Sequence, residues 1–198
     1  MEKQQLSTIR RQLRSALVLL GVMILLTGII YPLFVTLIAQ IVFPYQANGS
    51  LIVGEGKILG SELIGQQFDR EGYFWGRPSA TQPLPYNGSA SSGSNYGPSN
   101  EALLGNIQKR IEALKQSDPE NTMSIPVDLV TYSASGLDPH ISLAAAMYQV
   151  PRVARVRHVS EGILQVMVNR YTEGRQFGVL GEPRVNVLRL NLALDEIK

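Results

Sequence analysis

The chain has no cysteine and two histidines, His140 and His158. The first absence excludes a disulfide framework, a thiolate metal site and a cysteine nucleophile. Two imidazoles are too few for a histidine-rich metal centre, so no metal is expected. The familiar catalytic motifs are missing as well. A phosphate-binding P-loop needs Gly-x-x-x-x-Gly-Lys followed by Ser or Thr. At Gly56-Lys57, the one place where the pair occurs, Leu51 stands where the first glycine belongs and Ile58 where the hydroxyl belongs. There is no Gly-x-Ser-x-Gly elbow and no His-Glu-x-x-His. Charge is absent from a long stretch, since no Asp, Glu, Lys, Arg or His stands between Arg14 and Glu55. Net charge is +2 over 198 residues, and beyond the first fifteen residues the two signs nearly cancel. A near-neutral body argues against nucleic acid as a partner.

The uncharged stretch holds the run 16–43, ALVLLGVMILLTGIIYPLFVTLIAQIVF. As a helix it spans about 42 Å, against about 30 Å of bilayer hydrocarbon. It is too long for the apolar core of a cleaved signal peptide. The run is therefore read as a retained transmembrane helix in contact with membrane lipid. Lys3, Arg10, Arg11 and Arg14 precede it, and only Lys57 follows closely. Positive charge remains on the cytoplasmic side. The expectation is a cytoplasmic segment 1–15, a helix 16–43 and an extracytoplasmic domain 44–198 of a single-pass plasma (inner) membrane protein. Gly21, Gly28, Pro32 and Ala39 fall on one stripe at 100° per residue, where small groups admit a partner helix. Pro32 removes a hydrogen bond to Gly28 and predicts a kink.

The outer portion reads as one α+β domain. Leu51–Val53 and Ile58–Leu59 around Gly54-Glu55-Gly56 predict a hairpin. Residues 81–100, rich in Pro, Gly, Ser and Asn, form a long loop, either a flexible excursion or an ordered docking element. Asn100 caps an amphipathic helix over 101–116, with Leu103, Leu104, Ile107, Ile111 and Leu114 on its inner face. Val127–Tyr132 reads as β-prone. Asp138-Pro139 predicts a helix start running to Gln149, and Pro151 a second short helix. Ser160 caps another helix with Ile163, Met167 and Tyr171 inward, and the alternation over 185–192 predicts a strand.

The polar groups of greatest interest gather at Asp128, Asp138, His140, Gln149, Arg152 and Arg155. One reading makes them caps and ion pairs on a solvated face. The other makes them a docking surface, since arginine and aromatic groups anchor interfaces. A different class of reading, a membrane-anchored, outward-facing serine–lysine hydrolase, rests on Lys57 and on Ser91, Ser92, Ser133 and Ser135.

Several blocks in order resemble the KdpC family, the C subunits of the Kdp potassium-transporting P-type ATPases. They are Gly60-Ser61-x-Leu63-Ile64-Gly65-Gln66, Tyr73-Phe74-x-Gly76-Arg77-Pro78-Ser79-Ala80, and the stretch from Tyr86-Asn87 through Ser94-Asn95 to Ser99-Asn100. Asp128-Leu129-Val130-Thr131, Ser133-Ala134-Ser135-Gly136-Leu137-Asp138-Pro139-His140, Gln149-Val150-Pro151-Arg152 and Leu180-Gly181-Glu182-Pro183-Arg184 complete the set. The resemblance implies a non-catalytic subunit of a four-subunit pump. Its partners are a potassium-pore subunit (A), an ATP-hydrolysing subunit (B) and a small subunit (F). It further implies a catalytic chaperone that raises the ATP affinity of the hydrolysing subunit, with ATP as cofactor only in that company and Gln149 as the suggested nucleotide contact. An extracytoplasmic Gln149 conflicts with cytoplasmic ATP, so coupling through the membrane helix is the easier route. Arg77 and Asn95, inside these blocks, join Asp128, Asp138, His140, Arg152 and Arg155 as interface candidates.

Overall fold

The computed structural model describes residues 2–197, with side chains from Thr8 onward and that of Gln5. Met1 and the Lys3 side chain, both in the expected cytoplasmic segment, lie outside this description. Two compact units, 1–50 and 51–198, divide the chain. The first is helical: α1 (Glu2–Leu25), a π turn (Leu26–Ile30), α2 (Tyr31–Val42) and the single turn α3 (Pro44–Ala47). Over Thr8–Val42 it is long and apolar enough to cross a membrane. The disturbance expected at Pro32 takes the form of the π turn. Pro32 offers no N–H to Gly28 and crowds its carbonyl. The chain widens instead, and the Tyr31 N–H bonds the Leu26 carbonyl, five residues back. A Cβ added at Gly21 or Gly28 would meet nothing within 4 Å, so the glycines leave open notches on the helix.

The second unit is α+β, as expected. β1 (Leu51–Gly54) and β2 (Lys57–Ser61) form the expected hairpin, turning at Glu55 and Gly56, both at positive φ. α4 (Glu101–Ser117) starts where Asn100 accepts the Ala102 N–H at 2.8 Å. Leu114 is buried and Leu103, Ile107 and Ile111 half-buried, whereas Leu104 is exposed. β3 (His140–Ser142), β5 (Arg184–Asn186) and β4 (Thr172–Glu173) make an antiparallel sheet in that order. α5 (Leu143–Arg157) carries Ala146, Val150 and Val153 into the core, where α6 (Glu161–Arg170) adds Leu164 and Val168, and α7 (Val187–Asp195) adds Leu190 and Leu194.

Five local expectations are corrected. Val127–Leu129 is a 3-10 turn, because the Leu129 N–H closes on the Pro126 carbonyl and the Val130 N–H on the Val127 carbonyl, at 3.1 and 3.2 Å, and the Thr131 hydroxyl also bonds the Val127 carbonyl at 2.8 Å. The helix after Pro139 starts at Leu143. The Asp138 carboxylate instead takes the His140 N–H at 3.0 Å, residues 140–142 pair with β5, and Ser142 is the cap, accepting from Ala145. Pro151 starts no new helix. α5 runs through it, held on both sides by buried Val150, Arg152 and Val153, and ends at His158 in the left-handed region. On α6 Met167 and Tyr171 pack against the core as expected, but the fully buried residues are Leu164 and Val168, and Ile163 is exposed. The strand expected over 185–192 stops at Asn186, whose side chain accepts the Arg189 N–H at 3.1 Å and starts α7.

Between the hairpin and the long loop lies a strap, 71–77, that opens in a turn closed by the Tyr73 N–H on the Arg70 carbonyl at 3.1 Å and belongs to no sheet, although every carbonyl in it accepts a side-chain hydrogen bond. Arg152 serves Glu71 and Tyr73, and Arg157 serves Gly72. Asn191 bonds both backbone groups of Phe74, each at 2.9 Å. Gln149 does the same for Trp75, accepting its N–H at 2.7 Å and donating to its carbonyl at 3.1 Å. Arg110 takes Gly76, and the Tyr86 hydroxyl takes Arg77. Buried polar backbone must find partners, and here amides and guanidinia on α4, α5 and α7 replace a neighbouring strand. Trp75 lies between two of them, 5.1 Å from the Arg110 guanidinium and 4.5 Å from that of Arg152.

Candidate functional site

The sequence candidates separate into a groove and a core cluster. The groove, about 640 Å³, runs along the β3–β5 side of the sheet, with Arg77, Asp128, Asp138, His140 and Arg184 on its walls. Arg77 reaches Asp138 at 3.3 Å and the Tyr132 carbonyl at 3.0 Å. His140 lies between two carboxylates, Nδ1 at 3.4 Å from Asp138 and Nε2 at 3.6 Å from Glu173. Glu173 in turn takes Arg184 Nε at 3.1 Å across the β4–β5 register. The result is a line of alternating basic and acidic groups over three strands and the end of the strap. Burial alone would raise the Asp138 carboxyl. The hydrogen bonds from His140, with the charges of His140 and Arg77, outweigh burial and hold it below the ordinary carboxylate value. Asp128 accepts the Ser142 N–H and hydroxyl at 2.7 and 3.1 Å, fixing the start of α5.

Gln149 and Arg152 are in the core. Gln149 is 1% exposed. Its Oε1 accepts from the Trp75 N–H and from Arg152 Nη2, both at 2.7 Å, and its Nε2 donates to the carbonyls of Trp75 and Ala145. Every hydrogen-bonding position of the amide is occupied. Arg152, also 1% exposed, is no surface anchor. Burial pushes its guanidinium down to about 10, against the opposing charges of Asp118 and Glu71. Arg155 is half exposed and holds the buried Asp118 at 2.7 Å beside a second depression of about 750 Å³.

Asn95 is exposed at positive φ in the long loop. The loop is tied down by its hydroxyls. Ser79 donates to Gly136 and accepts from Tyr86, Thr81 links Leu84 with Asn87, and Ser91 donates to Ser135. Gly136, at φ +68°, has the Ser92 carbonyl 2.6 Å from where a Cβ would stand, so the close approach needs glycine. Gln82–Pro83 is cis. Of the serines in the hydrolase reading, Ser91 and Ser135 bond backbone, and among the described residues no hydrogen bond joins either to Lys57. Sequence reasoning passed over Glu173 and Asn191, the twin of Gln149, and met Arg184 only within a family block, with no role given to it. No local motif marks the roles of these residues, because their partners are over a hundred residues away or across a sheet.

The chain thus joins an apolar helix long enough to span a bilayer to an α+β domain that carries a groove lined by acidic and basic side chains. Residues 13–196 match the family described as KdpC, the K+-transporting ATPase c chain. The chain is 62% identical over 185 residues to the potassium-transporting ATPase KdpC subunit of Methylococcus capsulatus, covering 93% of this chain and 97% of that one. It is 59% identical to its counterpart in Dechloromonas aromatica, again over 93% and 97%, and 62% identical to that in Herpetosiphon aurantiacus, over 93% and 96%. The chain belongs to the KdpC family.

Proposed function

We propose that the chain is a non-catalytic accessory subunit of a high-affinity, ATP-driven potassium uptake pump. The helix 16–43 anchors it in the plasma (inner) membrane, with 1–15 in the cytoplasm and 44–198 outside. It is required for assembly with the pore, ATP-hydrolysing and small subunits, and as a catalytic chaperone it raises the ATP affinity of the hydrolysing subunit. The carrying observation is the match to proteins named as this subunit along almost their whole length. The apolar helix supports lateral packing on membrane partners through the open notches at Gly21 and Gly28, while the π turn at Leu26–Ile30 shifts the phase of Pro32 and Ala39 relative to them. The groove supports an extracytoplasmic contact through Arg77, Asp138 and His140. The saturated bonding of Gln149 favours an ATP effect transmitted through the domain and the helix over direct contact with nucleotide.

The experiment is purification of the pump in mild detergent with and without this chain, followed by hydrolysis rate against ATP concentration. Omission is expected to destabilise the complex and to raise the KM for ATP in what remains. A pump that assembles and binds ATP identically without the chain refutes the proposal. Protease cleavage of 44–198 in inverted vesicles, where cytoplasmic surfaces face out, refutes the orientation.

A further inference from the structure

Between β4 and β5 the chain makes a tight projecting turn. Gln176 and Leu180 exchange two backbone hydrogen bonds of 2.9 Å, and the Gly178 N–H closes on the Arg175 carbonyl at 3.0 Å. Arg175 pairs with Glu182 at 2.7 Å across the base. At the tip Phe177 and Gly178 both have positive φ, +54° and +77°. Glycine adopts that conformation freely, and asparagine tolerates it. For a bulky aromatic residue it is a true outlier. Phe177 at 84% and Val179 at 72% are also the most exposed large apolar side chains among the described residues, above every residue of the apolar helix. Leu180, at 57%, continues the patch. The fold thus holds an aromatic ring in an unfavourable backbone conformation and gives it nothing to pack against. Strain with no return inside the chain points to a contact outside it.

We propose that Phe177, Val179 and Leu180 form a docking finger that seats in an apolar socket on another protein subunit, a surface that deepens and rests on the accessory-subunit reading. A protein socket fits better than a lipid surface. Interfacial anchors meet anionic headgroups with free cations, and here Arg175 is neutralised by Glu182 at the finger's own base. The turn is preformed, so little ordering is lost on meeting a fixed complementary pocket. The finger is also continuous with the groove. Glu182, Pro183 and Arg184 form its returning arm and line the groove that holds Arg77, Asp138 and His140. A partner segment lying in the groove is thereby led to an aromatic anchor at its end, the usual arrangement of a buried hot spot with a polar surround.

The test uses the full-length tagged chain, co-expressed with the other pump subunits and purified in mild detergent. Phe177→Asn is the informative replacement, because asparagine suits the left-handed position and removes only the apolar ring. Its thermal midpoint is expected to equal or exceed that of the unaltered chain, while ATPase subunits retained on the tag fall about tenfold or more. Photoactivated benzoylphenylalanine at position 177 is expected to crosslink to a larger subunit. Equal retention by Phe177→Asn overturns the finger, as does a loss of retention accompanied by a lowered midpoint. Crosslinks only to lipid, only to a second copy of this chain, or to nothing also overturn it. If the unaltered chain itself retains no ATPase subunit, the accessory-subunit reading is what fails.

Discussion

Replacing Gln149 with leucine tests whether that side chain is a clamp for the strap or a contact for nucleotide. The two side chains are similar in volume, so the change removes polar bonds without opening a large cavity. Both backbone groups of Trp75 lose the partner that Gln149 supplies, while Arg152 keeps the carbonyls of Glu71 and Tyr73. A buried group left unpaired costs about 1–3 kcal/mol, so the pair costs about 2–6 kcal/mol, a large part of the roughly 5–15 kcal/mol that holds a domain together. At about 2–4 °C per kcal/mol for a domain of this size, the midpoint falls by roughly 5–20 °C. Trp75 is the sole tryptophan, so its fluorescence during heating of the detergent-solubilised full chain reports the strap directly.

Asn191→Leu provides the control. It strips the two bonds from Phe74 in the same way, and no nucleotide role attaches to it. The clamp argument requires the two variants to lose similar stability and, in the assembled pump, to raise the KM for ATP to a similar extent. A midpoint loss under about 2 °C for Gln149→Leu refutes the accounting of unpaired groups. A nucleotide contact gives a different pattern. ATP at a hundred times its dissociation constant would stabilise the unaltered chain by about 2.7 kcal/mol, and Gln149→Leu alone would abolish that gain.

Two further outcomes follow from the corrected elements. Asn186→Val removes a buried cap and its bond to the Glu62 carbonyl, so thermal unfolding is expected to show a loss of about 1–3 kcal/mol; were 185–192 a strand, the β-branched residue would be neutral or stabilising. The Asp138 carboxyl is depressed in the folded state, so its contribution to stability is present above its ordinary value near 3.8 and is lost as pH falls through the lower folded value. Asp138→Asn is expected to lower stability at neutral pH and flatten that acid limb, read as midpoint against pH between about pH 6 and about pH 2; an unchanged acid limb refutes the role of the His140 and Arg77 contacts.

What the sequence made legible was whatever has a period or a local signature. The apolar run, the hairpin around Glu55-Gly56 and the Asn100-capped helix each announce themselves within a few residues. The errors arose where two periods coincide or where a distant partner overrides a local preference. Leu188, Leu190 and Leu192 alternate as a strand should, yet the buried set Val187, Leu188, Leu190, Asn191 and Leu194 also fits one helical face, and the Asn186 cap decides between them. Asp138-Pro139 is a sound helix start until β5 offers residues 140–142 a ladder. The strap is the extreme case. Its backbone partners are side chains spread over three helices and the long loop, and no pattern in Tyr73-Phe74-Trp75 specifies them. This bears on how function distributes over the chain. A strap paired by Gln149, Arg152, Arg157 and Asn191 makes the position of Arg77, and through Asp138 the groove, depend on α5 and α7 packing as one body. On the proposed docking role, the buried Gln149, Arg152 and Asn191 then govern docking without touching a partner, and loss of partner binding on their replacement follows from loss of the frame. A contact residue is distinguished from a frame residue by the fold surviving its removal, which the exposed Phe177 is expected to show and the buried Gln149 is not.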